Sequence, residues 1–178
     1  EVDDVINALE EEALVDFFVY KSEDDEWMLA ATIINDGQVH FINYGELEPF
    51  KTQIQELRSY MMDVTSELMS IKFLAMDLYA PLWEPLLDYL GEKETIFLVP
   101  DSILNVLPFD TLVNYDEEFL IEQYDLRLIS SARDLVKEPL EPAEGEVLIM
   151  AGPDYDTDKI KKASDKAQKI TSGRRSSS

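Results

Sequence analysis

Cysteine is absent from this 178-residue sequence, and histidine occurs once, as His40. Without cysteine the chain forms no disulfide, no thiolate zinc site and no thiol nucleophile. His40 lies between Val39 and Phe41 in a segment with the composition of a β-strand, which favours a structural role. No glycine-rich phosphate loop follows either buried strand described below. We therefore predict that the chain contains no catalytic residue, no metal site and no cofactor site.

Basic residues are scarce as well, with 15 against 38 acidic ones and a net charge of −23. A surface of this charge disfavours nucleic acids and anionic membranes, which are bound through Lys and Arg. It favours solubility and a basic partner or substrate. The sequence shows neither a signal peptide nor an apolar run long enough to cross a bilayer, so we expect a cytoplasmic protein that contacts no membrane.

The few basic residues are concentrated at one end of the chain. Residues 157–178 contain seven basic and two acidic residues and carry +5, which leaves −28 on residues 1–156. This segment is poor in apolar residues and is predicted to be a flexible basic tail or interdomain loop. Its Arg174-Arg175 pair is an exposed site of the kind that Arg-specific peptidases cut, and we predict it as a processing site. The alternative is a solvated segment without that role.

The first third of the chain alternates in the manner of β-strands. After a helix over residues 2–12, strands are predicted at 13–20, 27–35 and 38–44. Asp36-Gly37 is a two-residue turn signal, so these strands form an antiparallel meander. The acidic residues 23–26 lie at a hairpin tip and are predicted to be solvated, although four adjacent acids also suggest a cation site.

A long helix is predicted over residues 47–71, followed by a second over 73–90. The first carries apolar residues alternately three and four apart, at Leu47, Phe50, Ile54, Leu57, Met61, Val64, Leu68 and Ile71. Such a stripe is compatible with a coiled-coil dimer or with a pair of helices packed on each other, and the apolar second helix favours the pair. Pro81 and Pro85 should kink or restart the second helix, and Gly91 should end it.

The remaining sequence predicts two strands covered on both faces, at residues 95–99 and 147–151. Between them we predict paired strands at 119–121 and 126–129, a short helix that begins after Ser131, and a linker over 138–145. Helices interleaved with buried strands indicate a layered α/β fold.

Four segments carry a family resemblance in this order: LYAPLWEPLLDYL, LVPDSILNVLPFDTL, FLIEQYDLRLISSARDL and LIMAGPDY. Together with the opening meander they resemble, over residues 13–155, the N-terminal half of a CHAT domain, the bacterial caspase- and separase-like module usually found behind tetratricopeptide repeats. The resemblance implies a caspase-like layered α/β sandwich with an N-terminal antiparallel β-meander and a long helical pair. Ser102 stands where the family usually has Gly, a change expected to relax the turn requirement slightly.

The resemblance also implies a function and a domain division. Peptidases of this family use a His–Cys dyad on two later strands, which would lie beyond Ser178. The chain would then be the N-terminal scaffold and substrate-cleft part of a cysteine endopeptidase. Its partners would be a companion C-terminal peptidase chain or segment, a protein substrate and a tetratricopeptide-repeat region. The alternative is a non-catalytic, peptidase-like interaction module. The divisions are residues 1–93 (meander and helical pair), 94–156 (first part of the core) and 157–178 (tail).

Acidic residues follow both buried strands, where an α/β sheet binds ligands. By resemblance to caspase-like peptidases that cut after Arg or Lys, Asp154 is the first candidate for the substrate pocket, Asp156 the second and Asp101 the third. For Asp101 the alternative is a turn-forming cap. Asp154 and Asp156 also begin a spacing like that of a calcium loop, but Lys159 stands where the sharp turn requires Gly.

Overall fold

The computed structural model describes residues 2–137, which lie within one compact unit of residues 1–138. The helices are α1 (Val2–Ala8), α2 (Leu47–Met62), α3 (Leu68–Leu82), α4 (Leu87–Leu90) and α5 (Leu120–Gln123), and the strands are β1 (Ala13–Lys21), β2 (Trp27–Asn35), β3 (Gln38–Glu46), β4 (Thr95–Val99) and β5 (Asp125–Leu128). The predicted linker at 138–145 and strand at 147–151 lie outside the described residues. No helix within residues 2–137 is both long enough and apolar enough to cross a membrane.

The five strands form one mixed sheet in the order β3-β2-β1-β4-β5. The first three strands are antiparallel neighbours, which confirms the predicted meander. Asp36 and Gly37 join β2 to β3 with φ angles of 48° and 73°. Two successive positive φ angles belong to the turn type that matches the twist of paired strands. Strand β4 pairs in parallel with β1, and β5 pairs in parallel with β4.

The main core lies between one face of the sheet and the helices that follow the meander. Alternate residues of β1, such as Val15 and Phe17, point to this face and are fully buried, as are Leu57 of α2 and Trp83 after α3. Residues that point to the other face of the sheet, such as Leu14, form a smaller cluster. This cluster is covered by α1 and by the turn at Ala132–Leu135. The sheet is therefore covered on both faces, as expected for a layered α/β fold.

The predicted single helix over residues 47–71 is wrong. Helix α2 ends at Met62, and α3 begins at Leu68. The reason is a local turn, in which the carboxylate Oδ1 of Asp63 accepts hydrogen bonds from Thr65 N at 2.9 Å and from Thr65 Oγ1 at 2.7 Å. Such side-chain bonds compete with helical ones, so the helix stops although the apolar spacing continues. The favoured helix pair is confirmed, because α2 and α3 pack on each other.

The second predicted helix also differs in its bounds. Helix α3 continues through Pro81, and a 3-10 turn at Glu84–Leu86 separates it from α4. Gly91, with φ of 61°, ends α4 as predicted. Helix α1 is shorter than expected and ends at Ala8.

Polar side chains from the meander cap these helix ends. The Tyr44 hydroxyl donates to the carbonyl oxygen of Leu82 at 2.9 Å. Asn35 Nδ2 donates to the carbonyl oxygens of Tyr89 at 2.9 Å and Leu90 at 3.2 Å. Burial raises the pKa of Tyr44, which keeps this phenol protonated as a donor. These bonds satisfy carbonyls that a helix end leaves without partners and fix the helices against the sheet.

The predicted strand pair at 119–121 and 126–129 is wrong in topology. Residues 120–123 form the helical turn α5, whose start is capped because the Glu122 carboxylate accepts from Phe119 N at 2.8 Å. Phe119 makes only an isolated bridge to Val113. Strand β5 pairs with β4 instead, and a parallel pair requires a crossover connection rather than a hairpin. The short helix after Ser131 is present as a 3-10 turn.

The helix pair makes Leu57 a test of the core. Leu57 is fully buried on α2, so Leu57→Ala removes apolar contacts and leaves a cavity. We expect the free energy of unfolding to fall by about 2–5 kcal/mol in urea denaturation.

The matched control is Val64→Ala, since Val64 is completely exposed after α2 and its truncation should change stability by less than about 0.5 kcal/mol. If Leu57→Ala left the unfolding curve unchanged and only weakened self-association, the coiled-coil interpretation would be correct.

Candidate substrate groove at the carboxyl edge of the sheet

An open groove of about 460 Å³ lies where β1 and β4 end. Seven residues line it: Val19, Trp27, Leu47, Glu48, Lys51, Asp101 and Ser102. They come from two strands, the start of α2 and the loop after β4. Because ligands of α/β sheets bind beyond the carboxyl ends of parallel strands, this groove is the candidate site.

Asp101 holds this edge together through both of its carboxylate oxygens. Oδ2 accepts from the backbone N of Val19 at 2.9 Å, and Oδ1 accepts from the backbone N of Ser102 at 2.6 Å. The first bond continues the contact between β1 and β4 beyond their last paired residues, Asp16 and Val99. The second caps the turn that follows β4. The geometry therefore supports the turn-forming role, while a substrate contact by Asp101 stays a prediction.

Ser102 adopts a backbone conformation that favours glycine. Its φ is 51°, in the left-handed region that is costly for a residue with a Cβ atom by about 1 kcal/mol. The expectation that a serine here relaxes the turn requirement is therefore wrong. The turn keeps its geometry because the Asp101 carboxylate and the carbonyl of Asp101, which accepts from Leu104 N at 3.0 Å, hold the loop in place.

The walls of the groove combine an aromatic surface with charges of both signs. Trp27 is 54% exposed, and the Lys21 ammonium lies 5.2 Å from its ring centroid. Glu48 and Lys51 at the start of α2 form an ion pair of 3.1 Å. Such walls suit the side chain of an extended peptide, since Trp27 offers apolar area and Glu48 offers a carboxylate.

Asp16 is a half-buried titratable residue near this edge that sequence reasoning missed. It is half-buried in the middle of β1, on the face opposite to Val15 and Phe17. Burial raises its pKa, and the negative charge of Asp101 raises it further. The available signal was one acid inside the apolar run ALVDFFV. Asp16 does not line the groove, but the charge of Asp101 acts on it across the junction of β1 and β4.

The groove contains no nucleophile and no general base of the kind that a thiol peptidase needs. The chain has no cysteine, and its one histidine, His40, lies on β3, half-buried, with its ring 4.8 Å from the ring of Tyr89. Within residues 2–137 no three acidic or histidine side chains are grouped so that they could hold a metal ion, and this includes the acids at 23–26. What the groove can do chemically is bind and orient.

Four residues predicted from the sequence are not described by the structure. Asp154 and Asp156 of the expected pocket lie after residue 137, as do Arg174 and Arg175 of the expected processing site. Their roles stay predictions. Only Asp101, the third pocket candidate, can be placed, and it lines the groove.

Comparison with known proteins defines the class of the chain. The model of the CHAT domain matches residues 73–176, which is more than half of the sequence. The match begins within α3 and includes β4, Asp101 and β5. Residues 2–137 have a mixed α/β fold with a five-stranded sheet, and the chain is a caspase-like peptidase-family member. It belongs to the CHAT domain family. No curated protein matches it.

The raised pKa of Asp16 predicts a pH dependence of stability. In the unfolded chain this carboxyl titrates near 3.8, whereas in the folded chain it does so at higher pH. The folded state therefore binds more protons between the two values, and this group's contribution to stability falls as the pH rises through the folded pKa. Asp16→Asn should raise the free energy of unfolding at pH 7, and the gain should shrink toward zero as the pH approaches 3.8.

Urea denaturation at several pH values measures this difference. Asp24→Asn, in the exposed turn after β1, is the matched control and should leave stability within about 0.5 kcal/mol of wild type. A gain from Asp16→Asn that stays constant between pH 7 and pH 4 would contradict the titration of Asp16.

Proposed function

We propose that this chain is the N-terminal scaffold and substrate-cleft part of a CHAT-family cysteine endopeptidase. The observation that carries the proposal is the match of the CHAT domain model to residues 73–176. The structure of those residues that are described supports it, because β1, β4 and β5 are parallel strands of a layered sheet and a groove lies where β1 and β4 end.

The nucleophile has to come from outside this chain. A thiolate at neutral pH needs a neighbouring imidazole or another cationic group, and the chain supplies no cysteine. A companion C-terminal chain or segment with a His–Cys dyad would therefore complete the enzyme. The sheet offers an attachment point, since within residues 2–137 β5 pairs on one side only, with β4. Backbone groups on the other side of such a strand are a template for another strand.

The expected specificity is for basic residues. Residues 1–156 carry −28, and a negative field attracts and orients cationic peptides. Asp154 is our first candidate for the pocket carboxylate, with Asp156 second and Asp101 third. A carboxylate in a partly desolvated pocket pairs with Arg through two hydrogen bonds.

We further propose a protein substrate, an adjoining tetratricopeptide-repeat region and a cytoplasmic location.

Exchange of one carboxylate tests the specificity. Asp154→Asn keeps the shape of the side chain and removes its charge. In the complete peptidase it should lower kcat/KM for an Arg peptide by about 10-fold or more, while a matched peptide with a neutral residue should be cut within about 2-fold of wild type. Asp158→Asn is the control for a nearby charge. Equal loss on both peptides would remove Asp154 from the pocket.

The basic pair near the end of the chain tests the activity itself. In an active preparation we expect cleavage at Arg174-Arg175, because the net negative charge of residues 1–156 attracts the basic segment. Intact mass spectrometry, with and without a thiol-directed peptide inhibitor, detects the cut and its dependence on the enzyme. If the chain stayed uncut while Arg peptides were hydrolysed, the processing proposal would be wrong and the peptidase proposal would stand. No hydrolysis of any peptide by the complete protein would end the peptidase proposal.

The second candidate function is a non-catalytic interaction module. The observation that favours it is a group of exposed apolar side chains between α2 and α3. The two functions differ in whether they need the His–Cys dyad. An interaction module would still bind its partner proteins after the dyad cysteine is replaced. An interaction that survives while no thiol reacts with the inhibitor would favour the module.

A further inference from the structure

The turn between α2 and α3 exposes an unusual number of large apolar side chains. We call this surface the hairpin tip, and it consists of Tyr60, Met61, Met62, Val64, Leu68 and Met69. Val64 is 100% exposed and Met62 78%. Phe73, one turn further along α3, is 60% exposed. Contiguous exposed apolar side chains of this kind mark interaction surfaces in soluble proteins.

The tip is a structured surface. Asp63 Oδ1 accepts two hydrogen bonds from Thr65, and the Asp63 carbonyl accepts from Ser66 N at 3.0 Å. The backbone N groups of Ser70 and Ile71 donate to the carbonyl of Glu67, so α3 starts immediately after the turn. The hydrogen-bonded turn thus holds these apolar side chains in the solvent. The apolar stripe of α2 leaves the core over one helical turn, since Leu57 is still fully buried.

Carboxylates border this apolar surface. A depression of about 450 Å³ at the tip is lined by Ser59, Tyr60, Asp63, Thr65, Ser66 and Glu67. Hydrogen bonds from the backbone and hydroxyl of Thr65 lower the pKa of Asp63, so its carboxylate is ionised at neutral pH. No ion pair to Glu67 or Asp63 occurs within the described part of the chain. Arg58 is the one basic residue between positions 55 and 71.

We propose that the hairpin tip docks a basic amphipathic helix of a partner protein. Met, Leu and Val side chains adapt to the apolar face of such a helix, and methionine in particular fits irregular partners. Asp63 and Glu67 then pair with Lys or Arg beside that apolar face, which adds specificity and speeds association. This inference goes beyond the proposed peptidase role and does not depend on the His–Cys dyad.

Charge distinguishes this occupant from the two other candidates. A second copy that docked through the same surface would bring another tip bordered by the same carboxylates, so the two tips would repel each other. An anionic membrane would likewise be repelled, because such surfaces attract segments rich in Lys and Arg. A basic amphipathic helix matches the hairpin tip in both respects. Its apolar face covers the apolar side chains, and its Lys or Arg residues pair with the bordering carboxylates.

Binding of a designed peptide to the full 178-residue chain tests the proposal. The probe is a fluorescent helix of about 18 residues built from Leu, Ala and Lys, with Leu at helical spacing on one face. A scrambled peptide has the same composition and charge without the apolar face. Fluorescence anisotropy should show that the chain binds the helical peptide at least about 10-fold more tightly than the scrambled one, which excludes simple attraction to net charge.

Two variants locate the binding. Met62→Ser combined with Val64→Ser should lower the affinity for the helical peptide by about 10-fold or more. Both side chains are exposed, so their loss leaves the core intact. Glu67→Gln should weaken it by about 3-fold and reduce the dependence of affinity on salt. The matched controls are Val39→Ser on β3, which is 50% exposed, and Glu23→Gln in the exposed turn after β1, and both should bind as wild type does.

Other results would overturn the proposal. Equal affinity for the helical and scrambled peptides, or full binding by the Met62/Val64 variant, would show that the tip is not the docking site. Self-association in sedimentation that disappears in that variant would assign the tip to a second copy. Binding to vesicles of anionic lipid that disappears in the same variant would assign it to a membrane surface.

Discussion

The parallel pairing of β1 with β4 is the contact on which the rest of the structure depends. It joins Ala13–Asp16 to Ile96–Val99, so segments more than 80 residues apart in the chain become neighbours. The entropy lost in closing such a loop is recovered through burial, because Val15 and Leu98 have no exposed surface at this junction. The meander on one side and β5 on the other are attached to this pair, and the helices between them pack over it.

Asp101 extends that junction through hydrogen bonds, and its charge also affects the neighbouring Asp16. Its carboxylate satisfies Val19 N and Ser102 N, so Asp101→Ala would leave two backbone donors without their partners. Burial raises the pKa of Asp16 and the negative charge of Asp101 raises it further, which is a cost to stability at neutral pH. Ser102 adds strain at the adjacent position. Costs of this kind are concentrated where a protein binds its ligands, and Asp101 and Ser102 both line the groove.

The sequence predicted those parts of the fold that local chemistry decides. Strand β4 at Thr95–Val99, the Asp36-Gly37 turn and the helix end at Gly91 each rest on the residues present there, and all three are confirmed. Periodicity failed over residues 47–71 because one Asp63 carboxylate outweighed an unbroken apolar stripe. The predicted pairing of residues 119–121 with 126–129 was also wrong, since the choice between a hairpin and a parallel pair depends on contacts with β4, a separate strand. The groove was predictable only through Asp101, because Trp27, Leu47 and Glu48 reach it from other elements.

Within residues 2–137, helix α2 separates the candidate groove from the hairpin tip proposed as a docking site. Leu47 at its start lines the groove, and Met62 at its end belongs to the hairpin tip, about 22 Å further along the helix axis. Between them Ile54 and Leu57 are fully buried, so the middle of the helix is fixed in the core. The candidate groove and the hairpin tip therefore lie at opposite ends of a helix whose middle is fixed in the core, so a ligand proposed for one surface would not cover the other.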